Sequence, residues 1–139
     1  MLTRDRLSLP DPNLHPPVIA ESGDPFAMLR VAHLLARIER GRPARVADLV
    51  ARLNADHLDW SFSQRVVLDT VVQLQANWMT DYRNTDGIRV LEGPQGSTVA
   101  IEETSRVDPW IVRQVERLAA ECRERLREFA RGEGRATEG

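Results

Sequence analysis

The sequence predicts a mainly α-helical protein with one small β-hairpin, an α+β fold class, followed by a long C-terminal helix. Three segments between residues 24 and 78 carry apolar residues spaced three or four positions apart, the period of an amphipathic helix. Between Ile88 and Ile101 the apolar period falls to two, which is typical of strands. A fourth helical pattern then runs from Asp108 to about Arg131. This order predicts one compact domain with an appended helix.

Residues 1–23 are predicted to form an extended arm. Pro10, Pro12, Pro16 and Pro17 remove backbone donors and disfavour helix at the residues before them. Asp24-Pro25 then begins the first helix, because Asp is a good N-cap and Pro suits the first helical position. We expect this helix to end at Gly41.

The second helix is predicted to begin at about Val46 and to end in the polar stretch 54–57. Ser61-Phe62-Ser63-Gln64 matches a capping box, in which Ser61 caps the third helix and Gln64 reaches back to it. The third helix then runs to Trp78. Six residues, 55–60, separate the second and third helices.

The hairpin pairs a strand at Ile88 and Val90 with a strand over residues 98–101. Pro94 suits the second position of the turn, and Gly96 can take the positive φ that closes it. Asp108-Pro109 opens the last helix, predicted over 104–131, and the tail 132–139 is predicted to be disordered.

The last helix has an apolar seam with two interpretations. The seam can pack on the first helix of the same chain, or it can pair with a second copy. A helix of about 23 residues is about 35 Å long at 1.5 Å per residue, longer than the small helical core it would cover. We therefore predict a homodimer. The predicted dimer interface consists of Ile111, Val115, Leu118, Cys122, Leu126 and Phe129.

Composition restricts the partners that this chain can bind. All 19 basic residues are arginine, a bias that the codons of a GC-rich bacterial genome would favour, and 21 acidic residues give a formal net charge of −2. A protein that holds DNA by bulk electrostatics is usually basic, so a DNA-binding surface here must be local.

The sequence also predicts where the protein is found. Apolar runs are shorter than the roughly 20 residues of a membrane span. With a single cysteine, Cys122, and no secretory signal pattern, a cytoplasmic protein without membrane contact is expected.

The order helix, helix, helix, hairpin resembles the winged helix-turn-helix superfamily over residues 24–103. The segments that carry the resemblance are 45–53 as the second helix, 61–78 as the recognition-type helix and 88–101 as the wing. The resemblance implies either a DNA-binding transcription regulator or a protein-binding adaptor without DNA contact, since this scaffold serves both. One departure is the six-residue connection 55–60, where compact helix-turn-helix units use 3–4 residues.

A DNA-binding function assigns roles to exposed polar residues. Arg42 and Arg45 lie just ahead of the second helix, where its N-terminal amides also favour a phosphate. Gln64, Arg65 and Gln73 have the chemistry to read base edges in a major groove. Against this function, Asp69 would repel phosphate and the wing tip has no arginine. The predicted DNA-binding residues are Arg42, Arg45, Ser63, Gln64, Arg65, Gln73, Arg83 and Arg89.

An enzymatic function finds little support in the residues. His15, His33 and His57 lie in three different elements, without the i, i+4 pairing of a helical metal site. Cys122 lies on the apolar seam, where a packing role is expected rather than a nucleophilic one. We therefore predict no catalytic residues, no metal and no cofactor. A ligand-sensing regulator would need a pocket. Trp60, Trp78 and Trp110 could line one, but tryptophans at helix boundaries are more often core residues.

Overall fold

The computed structural model describes residues 17–83, 85–102 and 106–138, and for residues 133–138 it describes the backbone alone. Within these ranges the chain forms four helices and five short strands, which confirms the predicted mixture of helices with a small antiparallel sheet. In chain order the elements are β1 (Val18–Ile19), α1 (Pro25–Leu35), β2 (Ala44–Arg45), α2 (Val46–Asp56), β3 (Trp60–Ser61), α3 (Gln64–Tyr82), β4 (Ile88–Gly93), β5 (Gly96–Ile101) and α4 (Val107–Glu138).

The main sheet has three strands in the order β2-β5-β4, all antiparallel. The hairpin β4–β5 turns through Pro94 and Gln95, and Gly96 has the predicted positive φ of 104°. Strand β2 was not predicted. It lies between α1 and α2 in the chain, yet Ala44 pairs with Val99 and Arg45 with Thr98. This pairing fixes the start of α2 against the hairpin.

A second sheet joins the end of the N-terminal arm to the domain. Strand β1 runs parallel to β3, with the Val18 amide donating to the Asp59 carbonyl and the Ala20 amide to the Ser61 carbonyl, both at 2.9 Å. The rest of the arm, residues 1–16, lies outside the described residues.

The core lies between the helices and the inner face of the main sheet. Trp78 of α3 and Trp110 of α4 are both nearly fully buried and meet edge to face, with ring centroids 5.6 Å apart. The Trp110 indole N–H donates to Asp81 Oδ2 at 2.9 Å, so the polar end of this ring has a partner. Helix α4 therefore completes the core of the domain.

Four predicted helix boundaries are wrong. One is the end of α3, which lies at Tyr82 rather than Trp78. Helix α1 ends at Leu35 rather than Gly41, and single turns at Arg37 and Ile38 follow it. The N-cap of α3 is Ser63, whose hydroxyl accepts from the Val66 amide at 3.2 Å, because Ser61 belongs to β3. Helix α4 continues past Gly132 to Glu138, through part of the tail predicted to be disordered, since one glycine lowers helix propensity by only about 1 kcal/mol.

The apolar seam of α4 is divided between the core and the surface. Its N-terminal part packs on α1 of the same chain, with Ile111 and Leu118 1% exposed and Cys122 5% exposed. Val115 is half-buried against the same core. Leu126 and Phe129 are 57% and 66% exposed. The predicted dimer interface is therefore wrong for the buried residues, because the helix uses them to close its own core. None of the helices in the described parts of the chain is long and apolar enough to cross a membrane.

Candidate nucleic-acid interface

The outward face of α3 is set by the residues that it buries. Val67, Val71, Leu74 and Trp78 are at most 2% exposed and form the inward stripe. At about 100° per residue the opposite side is centred on Arg65 and on positions seven and eleven residues later, Val72 and Ala76. These three side chains point away from the core, and all are exposed.

The exposed face of α3 changes character along the helix. Its N-terminal end is polar, with Ser63, Gln64 and Arg65 all exposed. Farther along, Val72 is 45% exposed and Met79 is 41% exposed, with Ala76 between them. The polar end has the chemistry to contact bases or phosphates, whereas the second half presents an apolar surface.

Asp69, the residue expected to repel phosphate, has two partners. The Ser22 hydroxyl donates to Asp69 Oδ2 at 2.8 Å, and Arg65 Nε lies 3.9 Å from the same oxygen. Ser22 belongs to the turn before α1, so the carboxylate is held toward that turn. Asp69 lies seven residues before Ala76 and is therefore on the same exposed face. Its charge is balanced locally by Arg65.

The two glutamines predicted to read bases lie on opposite flanks of α3. Nine residues separate Gln64 from Gln73, which is a rotation of about 180° around the helix. Gln73 donates to Asn77 Oδ1 at 3.0 Å and lies beside Ser22 and Gly23. Gln64 has no hydrogen bond to another described side chain. Arg65 lies between the two flanks. If the DNA major groove received Gln64 and Arg65, Gln73 would lie at the edge of that groove.

Three of the five arginines predicted to bind DNA have carboxylate partners. Arg42 lies 3.2 Å from Glu39, Arg89 lies 2.5 Å from Glu102, and Arg65 pairs with Asp69. Within the described ranges, Arg45 and Arg83 make no ion pair. These two are far apart in the chain: Arg83 follows α3 in a left-handed conformation with φ of 51°.

Arg45 has the position that best suits a phosphate contact. It is exposed, it is the N-cap residue of α2, and its backbone lies in register with Thr98 of β5. Its side chain borders a shallow depression of about 240 Å³ with Leu91, Thr98 and the hairpin turn. The N-terminus of α2, which is the positive end of its dipole, and the Arg45 guanidinium thus lie together beside the tip half of the hairpin.

The excess of arginine over residues 30–45 does not form one patch. Arg40 is partly buried, contacts the Asp108 carboxylate and donates to the Glu102 carbonyl at 3.2 Å, and burial lowers the pKa of its guanidinium. Arg30 and Arg37 line a cavity on another side of α1. Only Arg42 and Arg45 of this group remain beside the hairpin. The structure therefore divides a basic segment into three separate environments.

His15 lies outside the described residues, and His33, His57 and Cys122 belong to no metal-binding cluster within them. No group of three or more His, Cys, Asp or Glu side chains there is close enough to hold a metal ion. Cys122 is buried, and burial together with the charge of Asp24 raises the pKa of its thiol. A raised pKa reduces the thiolate fraction, which is the opposite of what a nucleophile requires.

Comparisons with protein-family models, with curated proteins and with solved structures found no match to this chain.

Proposed function

We propose that the chain is a winged-helix protein that binds double-stranded DNA as a transcription regulator. The order α1-β2-α2-α3-β4-β5, with β2 as the third strand of the hairpin sheet, supports a winged-helix architecture, in which β4–β5 is the wing. Three helices followed by a hairpin would by themselves fit several small folds. The pairing of β2 with β5 is what favours this one.

In this proposal the N-terminal end of α3 enters the major groove. Recognition helices of helix-turn-helix proteins contact base edges mainly through their first residues. Here those residues are Gln64 and Arg65, suited to adenine and guanine edges respectively, with Ser63 close to the backbone. Gln73 lies beyond this end and on the flank occupied by the turn before α1, so its expected contribution is small.

The single observation that carries the proposal is Arg45 at the start of α2, which makes no ion pair with any residue that the structure describes. Its guanidinium and the N-terminus of α2 lie together beside the tip half of the wing, where a phosphate could contact both. The ion pairs of Arg42, Arg65 and Arg89 do not oppose DNA contact strongly. Exposed pairs of this kind stabilise a protein by only about 0–1 kcal/mol, and a phosphate can replace the carboxylate.

Leu126 and Phe129 are proposed to bring two copies together. They continue the seam of α4 beyond the part buried on α1 and are the two most exposed large apolar residues of that helix. Pairing of these segments about a two-fold axis would place two α3 helices on successive half-sites of a pseudo-palindrome.

A second candidate function is favoured by the apolar half of α3. Leu68, Val72, Ala76 and Met79 follow one another at spacings of three and four, and two of them are more than 40% exposed. Such a stripe fits an amphipathic helix of a protein partner, which anchors apolar residues at i, i+3 or i+4, and i+7. In this adaptor function the third helix would contact protein instead of DNA.

DNA binding measured by fluorescence anisotropy over a salt series tests the proposal. Random and genomic duplexes are compared with the full chain. We expect log affinity to fall linearly with log salt, with a slope of about −0.9 for each phosphate contact, and one class of fragments to bind above the others. Absence of binding even at about 50 mM salt, where phosphate contacts are strong, would reject the DNA-binding function in favour of the adaptor.

A further inference from the structure

A cavity beside α1 lies away from the DNA-binding face proposed above. It has a volume of about 630 Å³, within the range of roughly 300–1,000 Å³ that small-molecule sites occupy. Its walls come from α1, the end of α2 and the middle of α4. The apolar part of the wall is formed by Leu29, Leu34, Leu53, Val115 and Ala119.

Positive charge gathers on one wall of this cavity. Arg30 of α1 and Arg37 of the turn after α1 both line it, and neither makes an ion pair with a described carboxylate. The one acidic residue of the wall, Asp56, lies 4.0 Å from Arg52 outside the cavity. His33 and His57, which lie in separate elements of the sequence, also meet here.

Two contacts orient the guanidinium of Arg30, and the edge formed by Nε and Nη2 has no hydrogen bond to a described residue. Its Nη1 donates to the Phe26 carbonyl at 2.9 Å, and its carbon lies 4.4 Å from the ring centroid of Trp60. Its Nε is buried and has no hydrogen-bond partner within the described chain. A buried donor without a partner has lost its hydration without compensation, so this atom gains when an acceptor reaches it.

The unused edge determines the chemistry of a matching ligand. Nε and Nη2 of a guanidinium are parallel donors that fit the two oxygens of a carboxylate. We propose that the cavity binds a small organic carboxylate with an apolar body, its carboxylate on Arg30 and Arg37 and its body on the leucine wall. Because Nε is shielded from solvent, the ligand reaches it only when the side chains around Arg30 and Trp60 adjust.

This adjustment supplies a direct readout. Trp60 stacks on Arg30, so binding changes the emission of Trp60, while Trp78 and Trp110 are buried in the core away from the lining residues. The probe pair is 4-phenylbutyrate and its neutral amide, which differ only in the charged group. Titration calorimetry with the full chain measures affinity, and tryptophan emission reports whether the probe occupies this cavity.

We expect the acid to bind about tenfold or more tightly than the amide, as a charge-assisted bidentate contact implies. Arg30→Gln and Arg37→Gln should each reduce this preference at least severalfold. Arg123→Gln, an exposed arginine of α4 that does not line the cavity, should leave it unchanged. Circular dichroism of each variant verifies that it is folded, and Arg37, being exposed, provides the test if Arg30→Gln does not fold.

Equal affinity for acid and amide would overturn the proposal, because the cavity would then act as an apolar site alone. Absence of binding of the acid at millimolar concentration would overturn it as well. So would a sedimentation result in which Arg30→Gln changes the oligomeric state, since the cavity would then hold part of a second copy. None of these outcomes depends on whether the chain binds DNA.

Discussion

The Ser22 hydroxyl donates a 2.8 Å hydrogen bond to Asp69, joining the turn before α1 to the exposed face of α3. The two residues are 47 positions apart in the chain. Arg65 Nε lies 3.9 Å from the same carboxylate oxygen. Asp69 therefore contacts both the turn before α1 and the arginine that the proposed DNA contact requires. If the chain binds DNA as proposed, this carboxylate would compete with DNA for Arg65.

Replacing Asp69 by Asn should strengthen DNA binding. The amide keeps an acceptor for Ser22 but removes a negative charge near the phosphates and frees Arg65. At a separation of several ångströms in water this charge is worth about 0.5–1 kcal/mol, roughly two- to fivefold in affinity. Anisotropy titrations at low salt measure the change, with Glu128→Gln on α4 as the matched charge control. An unchanged affinity would show that DNA does not approach this face of α3.

Arg45→Ala and Arg65→Ala should affect DNA binding in different ways. Loss of the phosphate contact of Arg45 should weaken all duplexes about equally and reduce the salt slope by about 1. Loss of a base contact by Arg65 should cost about 1–3 kcal/mol and relax preference at one position of the site. Arg123→Ala is the control. If Arg65→Ala left both affinity and preference unchanged, α3 would have no role in reading sequence.

Phe129→Glu should convert a dimer into monomers. Phe129 is 66% exposed in one chain and lies beyond the intramolecular part of the α4 seam. A charge at a buried aromatic position of an interface should weaken association by at least about tenfold, since such anchors contribute about 2 kcal/mol or more. Sedimentation equilibrium compares it with Val112→Glu, a similarly exposed apolar position on the same helix. A monomeric wild-type chain at high concentration would contradict the dimer.

Cys122 should resist alkylation in the folded protein. Burial and the nearby Asp24 carboxylate raise the pKa of its thiol, so the reactive thiolate is scarce and shielded. Folding stability should accordingly fall as pH rises above the ordinary pKa of a thiol, because the unfolded chain loses that proton first. Iodoacetamide labelling followed by mass spectrometry should be slow at pH 8 and fast in denaturant. Equal rates would mean that the α1–α4 contact opens freely.

Gly87→Ala should destabilise the domain far more than Gly23→Ala. Both glycines have positive φ, 128° and 85°, so each alanine incurs backbone strain of about 1–3 kcal/mol. A Cβ at position 87 would also lie 3.0 Å from Val107 Cβ and 3.1 Å from Trp78 Nε1, whereas position 23 has nothing within 4 Å. Urea denaturation measures the free energy of unfolding of both variants. Equal losses would show that the contact between Gly87 and α4 is loose.

The local features of this protein followed from its sequence because their causes are local. Apolar spacing located the four helices, since a helix brings residues three and four apart to one face. Pro94 and Gly96 located the hairpin turn through their own backbone preferences. The opposite placement of Gln64 and Gln73 was also present in their spacing of nine. These patterns depend on residues within about two turns of one another.

Tertiary structure decided the features that depend on distant parts of the chain. Strand β2 has only two residues and forms because Ala44 and Arg45 find partners on β5, so no periodicity signals it. Packing of α4 on α1 buried Ile111 and Leu118 within one chain, although the same seam is equally suited to a second copy. It also brought Arg30 over Trp60 and His33 beside the cavity that His57 lines. The chemistry of a side chain limits the groups that it can contact. Only the packing of the whole chain determines which of those groups lie next to it.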